Sequence, residues 1–228
     1  MLKRKAAPLT ASACALVAAL ASPAHAQQPA VEPCGSLQNA YGPYDYRTEK
    51  KMLAIVEQFH FTPAVENLIK PMFQHFAADF DYTLRASPNH HRALITMARH
   101  SLKLHDEKPP GAGQTTECYF VRAIRFAPDD IMVRMIYADH LIKQSRIDEA
   151  VKQLDFGATL AEDNPFSHYN LGLLYFEAKK MDKAAERARE AERLGFPRQD
   201  LKAKLVAAGK WDTDASVTAG AAASAAAR

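Results

Sequence analysis

After its first 26 residues the sequence has no hydrophobic run long enough to cross a membrane, since none reaches about 18 consecutive apolar positions. This argues against a multi-span membrane protein. Only nine of the 228 residues are glycine, which excludes a collagen-like chain. The hydrophobic and charged fractions, 48% and 24%, are ordinary for a folded protein, and the length fits one domain or two small ones.

The sequence also lacks a large excess of positive or negative charge. Its formal net charge is +3, but Lys3, Arg4 and Lys5 lie in a segment that we expect to be removed. Without these three residues, 26 basic side chains face 26 acidic ones, and the net charge is zero. A balanced chain is a poor general binder of nucleic acid or of an acidic membrane, so we expect no nucleic-acid partner.

Motifs of catalysis and metal binding are missing as well. The sequence contains no CxxC, HxxxH or HExxH pattern, no glycine-rich phosphate loop and no nucleophile elbow. His90 and His91 are adjacent and point in different directions on a helix, so we interpret them as residues that cap or line a helix start. A metal site and a proton-coupled role of His91 are the alternatives. We expect no enzyme activity, no metal and no cofactor.

The first 26 residues have the layout of a secretory signal peptide. Three basic residues precede an apolar stretch from about Ala11 to Leu20, and Ala24-His25-Ala26 forms a small-x-small cleavage site. We expect cleavage after Ala26 and export to the periplasm or beyond, with no membrane span in the processed protein. An uncleaved N-terminal anchor and lipidation at Cys14 are the alternatives.

Removal of this segment leaves two cysteines, Cys34 and Cys118. An oxidising compartment favours a disulfide between an even pair of cysteines, here across 84 positions. A reactive thiol is the alternative, but it would leave the other cysteine unexplained. We therefore predict a Cys34–Cys118 disulfide.

An internal repeat with an offset of 34 residues runs through the second half of the chain. Residues 146–150 and 180–184 match in character, and within them Asp148 and Asp182 fall where a second helix would need an N-cap. Small residues such as Gly172 recur where two helices would approach closely, and large apolar residues recur at helical spacing. The pattern predicts an all-α protein built from successive helix pairs.

This pattern resembles the tetratricopeptide repeat (TPR) family, whose unit is a 34-residue helix–turn–helix. The most faithful copy is 165–198, which contains the run His168 to Tyr175. Residues 131–164 form a second copy, and 91–130 form a third that is about six residues longer at 108–113. The aromatic residue that usually opens the first helix is absent from all three copies. The resemblance implies a TPR-like α-solenoid of about three repeats, but the family serves many functions.

The N-terminal segment, residues 27–90, precedes the repeats. It contains an aromatic turn at Tyr41–Arg47 and helical patterns at about 48–60 and 63–86. We interpret these patterns as leading helices and as a candidate for a divergent first repeat.

Two segments follow the repeats. Residues 199–208 predict a capping helix on which Trp211 packs, which extends the repeat region to 91–211. Residues 212–228 are rich in alanine, serine, threonine and glycine, and this composition predicts a disordered tail.

The resemblance implies a concave groove lined by the first helix of each repeat. Asn170 occupies a place where the family often bonds a peptide backbone. The candidate groove-binding residues are Arg92, Ile95, Arg99, Met132, Met135, Asp139, Phe166, Tyr169, Asn170, Leu173 and Phe176. A groove with methionines and aromatic rings suits an extended or helical protein segment. The alternative is a groove filled by residues 27–70 of the same chain, which would make these residues core.

We therefore predict a non-catalytic, periplasmic or secreted scaffold that binds a protein or peptide partner of the cell envelope in this groove. A structural or oligomerising module with a self-filled groove is the second hypothesis. A His-dependent metal protein or enzyme is the third.

In the family, the place of Cys118 lies on a second helix, away from the groove. The resemblance thus implies that the disulfide fixes the N-terminal segment to the back of the first repeat.

Overall fold

A computed structural model describes residues 34–211 of the chain, and within this range it contains helices and no strand. The predicted all-α class is confirmed for these residues. The helices are α1 (Lys50–His60), α2 (Pro63–Glu66), α3 (Phe76–Ala86), α4 (His91–Leu104), α5 (Thr116–Phe126), α6 (Ile131–Lys143), α7 (Ile147–Thr159), α8 (Pro165–Glu177), α9 (Met181–Arg193) and α10 (Asp200–Ala207). None of them is long and apolar enough to cross a membrane. The predicted signal peptide and the predicted tail lie outside the described residues.

Side-chain caps fix where several helices begin. Asp130 accepts the N–H groups of Met132 and Val133 at the start of α6, and Asn164 accepts that of Ser167 at the start of α8. The predicted N-caps of the second helices were wrong, because Arg146 precedes α7 and Lys180 precedes α9. Asp148 and Asp182 lie inside the first turns instead, where a carboxylate is favourable beside the positive end of the helix dipole.

The helices pack in sequence order. Helices α6 and α8 begin 34 positions apart, at 131 and 165, and α7 and α9 do so at 147 and 181. Helix α4 contacts α6 and α6 contacts α8, so these first helices form a row. Helices α5, α7 and α9 each pack on the preceding first helix, and α5 and α7 also contact the next one. A continuous apolar core joins these helices to α3 and α10.

One glycine is required by this packing. A Cβ atom at Gly172 in α8 would lie 2.7 Å from Leu201 Cδ2 of α10 and 3.4 Å from the carbonyl oxygen of Ala184 in α9. The small residue at this repeat position therefore lets α8 approach two helices at once.

The leading region departs from the sequence-based expectation. The predicted helix at 63–86 is split into α2 and α3 by the non-helical residues 67–75. Pro71 lies in this break, and a proline both lacks an N–H donor and disfavours helical geometry in the residue before it. The chain also turns at Leu68, whose φ of 57° is left-handed.

Candidate binding surface

The N-terminal segment is covalently attached to α5. Cys34 and Cys118 form a disulfide with an Sγ–Sγ distance of 2.03 Å and a Cα–Cα distance of 5.2 Å, as predicted. Arg122 of α5 donates to the carbonyl oxygens of Cys34 and Ser36, at 3.2 and 2.6 Å. Residues 34–36 are therefore held on this helix by a covalent bond and by two hydrogen bonds.

A polar cluster around Asn89 forms a second attachment. The buried Asn89 side chain accepts the N–H of Tyr46 at 3.0 Å and donates to Asp45 and to Asp130, each at 2.9 Å. Asp130 also lies 2.8 Å from His91 Nε2. The amide thus joins the N-terminal segment to the starts of α4 and α6.

Arg47 extends this cluster to the surface. Its guanidinium donates to Asp45 and to Asp129, the latter at 2.8 Å. The hydrogen bonds from Arg47 hold the pKa of Asp45 well below its usual range. The aromatic turn predicted at Tyr41–Arg47 is therefore anchored by ionic contacts as well as by packing.

The interpretation of His90 as a capping residue is confirmed. Its Nδ1 accepts the N–H of Ala93, and its Nε2 lies 3.0 Å from Glu57 Oε1. Burial lowers the pKa of His90, and the hydrogen bond to His90 lowers the pKa of Glu57. Within residues 34–211, no group of three or more His, Cys, Asp or Glu side chains is arranged to hold a metal ion.

The predicted groove residues of α4 meet the chain's own α2. Arg92 pairs with the carboxylate of Glu66, and Arg99 donates to the carbonyl oxygen of Glu66 at 2.9 Å. The hydrogen bond from Arg92 lowers the pKa of Glu66. Ile95, between the two arginines in sequence, stays exposed. In α4, the charged candidates Arg92 and Arg99 therefore bind Glu66 of the same chain, whereas the apolar candidate Ile95 is exposed.

The predicted groove residues of α6 differ in exposure. Met132 is half-buried, whereas Met135 is 4% exposed and belongs to the core. Asp139 pairs with Lys143 of the next turn at 2.5 Å. Of these three, only Met132 presents apolar surface.

The predicted groove residues of α8 lie partly under the segment that follows α9. Tyr169 is 3% exposed, with its ring centroid 4.5 Å from that of Phe196 and with Arg198 over its face. Asn170 donates its amide to the carbonyl oxygen of Phe166 at 2.8 Å, so that group is engaged within the helix. Phe166 itself is 52% exposed. The half-buried residues of this helix include Leu173 and Phe176.

We define the first-helix face as the apolar candidates that keep surface on α4, α6 and α8. They are Ile95, Met132, Phe166, Leu173 and Phe176. The contacts of α4 with α6 and of α6 with α8 place these helices side by side.

A second apolar surface lies in the N-terminal half and was missed by the sequence analysis. We call it the α1 patch. Its members are Met52, Ile55, Phe59, Ile69, Met72 and Phe73, all exposed. A signal was present, because Met52, Ile55, Val56 and Phe59 follow helical spacing and Leu53 widens this apolar stripe. The fold buries only Leu53 and Val56 of these residues.

A pocket of about 270 Å³ opens beside this patch. It is lined by Tyr41, Ile55, Val56, Phe59, His60 and Tyr82. The His60 ring stacks on Tyr82, with centroids 3.8 Å apart, and on Phe73 at 5.2 Å. Its Nδ1 lies 3.6 Å from Oδ1 of the buried Asp79, whose Oδ2 accepts the N–H groups of Met72 and Phe73. The wall of the pocket is therefore fixed to α3.

A buried histidine in α6 predicts a pH dependence of stability. Neither ring nitrogen of His140 has a hydrogen-bond partner among residues 34–211, and burial lowers its pKa to about 4. On acidification, His140 therefore binds a proton in the unfolded chain at a higher pH than in the folded protein. Its contribution to the unfolding free energy is fully present above pH 6.5 and is lost as the pH drops towards 4. We expect His140 to account for a loss of up to about 3 kcal/mol in unfolding free energy.

Denaturant titrations between pH 4 and neutral pH test this expectation. His140→Phe should show a shallower decline than the wild-type protein, whereas a control change at the exposed His75, to Gln, should follow the wild type. Equal pH dependence in wild type and His140→Phe would contradict it.

No protein-family model, no curated protein and no solved structure matches this chain.

Proposed function

We propose that this chain is an exported, TPR-like repeat protein that binds a segment of a partner protein along the first-helix face. It would act as an adaptor in the cell envelope, without chemistry of its own. The observation that carries the proposal is the row of α4, α6 and α8, each of which leaves at least one apolar side chain partly exposed at a predicted groove position. Apolar surface that a fold leaves uncovered on adjacent helices is typical of a binding site.

The order of the helices supports the repeat architecture. The 34-position spacing of α6 with α8 and of α7 with α9 is the period of a TPR unit. Each second helix packs on its own first helix, and α10 packs on the last pair. Gly172 takes the place of a small residue at a close helix approach.

The chemistry of the face favours a protein segment as ligand. Methionine adapts its shape to different partners, and the exposed Phe166 provides a large contact area. The charged candidates Arg92, Arg99 and Asp139 already have partners within the molecule. Recognition would therefore depend on apolar anchors of a helical or extended segment.

The disulfide supports the proposed location. A structural disulfide persists in an oxidising compartment, and the signal-peptide layout of the first 26 residues would deliver the chain there.

The test uses peptides selected on the immobilised, oxidised protein from a displayed library. Phe166→Glu should weaken the binding of the peptides that use this face at least tenfold, because a charge replaces an exposed apolar anchor. Titration calorimetry measures the change, and circular dichroism should show an unchanged melting curve.

Phe156→Glu is the matched control. Phe156 is a phenylalanine of similar exposure, but it lies on the second helix α7. A selection in which no peptide binds Phe166→Glu more weakly than wild type, or in which the peptides lose affinity to the same extent in both variants, would refute binding at the first-helix face.

A second candidate function is a structural or oligomerising module whose groove is filled by its own chain. The burial of Met135 and Tyr169 and the contacts of α2 with Arg92 and Arg99 favour it. Under this alternative, the library yields no peptide that depends on Phe166, and sedimentation analysis shows a stable oligomer.

A further inference from the structure

We propose that the α1 patch and its pocket form a second binding site, separate from the first-helix face. The site would take an aromatic side chain of a partner segment in which carboxylates flank that ring. It requires no residue of the first-helix face, so either site can exist without the other.

The α1 patch leaves a large apolar surface exposed. The six members of the patch are between 42% and 75% exposed. Side chains of this size leave on the order of 600 Å² of apolar surface in water, the upper end of what a monomer usually exposes. The most exposed is Ile69, in the loop between α2 and α3.

The pocket defines the anchor. An apolar cavity of roughly 150 Å³ holds a benzene ring, so the volume of about 270 Å³ has room for one aromatic side chain. The rings of Phe59, His60 and Tyr82 line it and can contact a bound ring by its edge or its face.

The walls of the pocket are held before any ligand arrives. His60 is stacked between Phe73 and Tyr82, and Asp79 fixes the backbone of Met72 and Phe73. A preformed pocket needs little ordering on binding, so more of the contact energy becomes affinity.

The charges beside the patch select the partner. Lys51 of α1 and Lys70 of the loop form no ion pair with any described residue. The nearby acidic groups are already used, because Glu57 and Glu66 face Arg92 and Asp79 is buried. A second copy that met this patch with its own α1 patch would bring the same lysines, whereas an acidic segment complements them. An anionic membrane would also attract the lysines, but it would leave the ring-sized pocket unused.

The experiment selects random short peptides on the oxidised protein. We expect one enriched class with a single Phe, Tyr or Trp and with Asp or Glu within a few positions of it. Phe59→Glu should weaken these peptides at least tenfold, and Lys51→Glu combined with Lys70→Glu should weaken them and reduce the salt dependence of binding. Phe166→Glu should leave them unchanged.

Circular dichroism provides the folding control, since Phe59 is half-exposed and its substitution should not change the melting curve. A selection in which no peptide binds Phe59→Glu more weakly than wild type would overturn the proposal, and so would Phe59-dependent peptides without an aromatic residue. If every selected peptide responds to Phe166→Glu alone, the result supports only the first-helix face.

The other possible occupants give their own results. Dimerisation that Phe59→Glu abolishes, without peptide binding, would identify a second copy as the occupant and overturn the acidic segment. Binding to phosphatidylglycerol vesicles that depends on Phe59, without peptide binding, would overturn it in favour of a membrane surface.

Discussion

Met135→Glu is expected to unfold the protein or to lower its melting temperature severely. Met135 is 4% exposed and packs in the core, although the sequence analysis predicted a groove position there. A buried carboxylate without a partner costs several kcal/mol, which is a large share of the stability of a whole domain. Thermal and denaturant unfolding followed by circular dichroism measure the effect.

Met132→Glu is the matched control for this substitution. It places the same charge on the same helix, but at a half-buried position, and we expect a clearly smaller loss of stability. If Met135→Glu unfolds at the wild-type midpoint and instead loses peptide binding, Met135 is a groove residue and not a core residue.

Replacement of both cysteines, Cys34→Ser with Cys118→Ser, should lower the melting temperature while the helical content stays nearly unchanged. The disulfide crosslinks positions 84 residues apart. Loss of a crosslink over a loop of this length costs on the order of 4 kcal/mol in the chain-entropy description. For a chain of this size, that corresponds to a decrease of roughly 10 °C. Calorimetry and far-ultraviolet circular dichroism provide the two readouts.

Reduction of the wild-type protein should reproduce the effect of the double variant, and it should not change the melting temperature of that variant. The polar cluster around Asn89 remains in both cases, so residues 45–47 should stay attached. Two free thiols in the exported native protein, or a double variant with the wild-type melting temperature, would contradict the structural role of the bridge.

The repeat region could be predicted from sequence because its signals are local. Helix starts at 131 and 165 follow from the capping residues Asp130 and Asn164, and the offset of 34 follows from residues that recur within each helix pair. The caps of α7 and α9 were placed wrongly, because an aspartate is equally favourable at a cap and in the first turn.

The leading region was harder to predict because its contacts are distant in sequence. Asn89 bonds Asp45 and Asp130, which lie 44 and 41 positions away. No short pattern around Asn89 encodes such partners. The break at 67–75 could have been anticipated from Pro71, but the return of α2 onto Arg92 could not.

For the candidate groove, the sequence predicted which helices carry the groove residues, but it did not predict which of these residues are exposed. Met132 and Met135 differ in burial only because of what packs around each one. Tyr169 is covered by Phe196 and Arg198, which lie beyond the next helix in the chain. The α1 patch lies on an apolar stripe that the sequence contains, but which part of this stripe stays exposed depends on what packs against α1.

Leu201 limits how this architecture can grow. The side chain of Leu201 packs into the space beside Gly172 of α8, at the carboxyl-terminal end of the row of helix pairs. A helix pair added after Arg193 would occupy the same space and would have to displace α10. A unit of 34 residues inserted between 164 and 165 would instead meet surfaces like those that already join neighbouring pairs. Duplication within the array can therefore lengthen this protein, whereas extension at its carboxyl-terminal end first requires the displacement of α10.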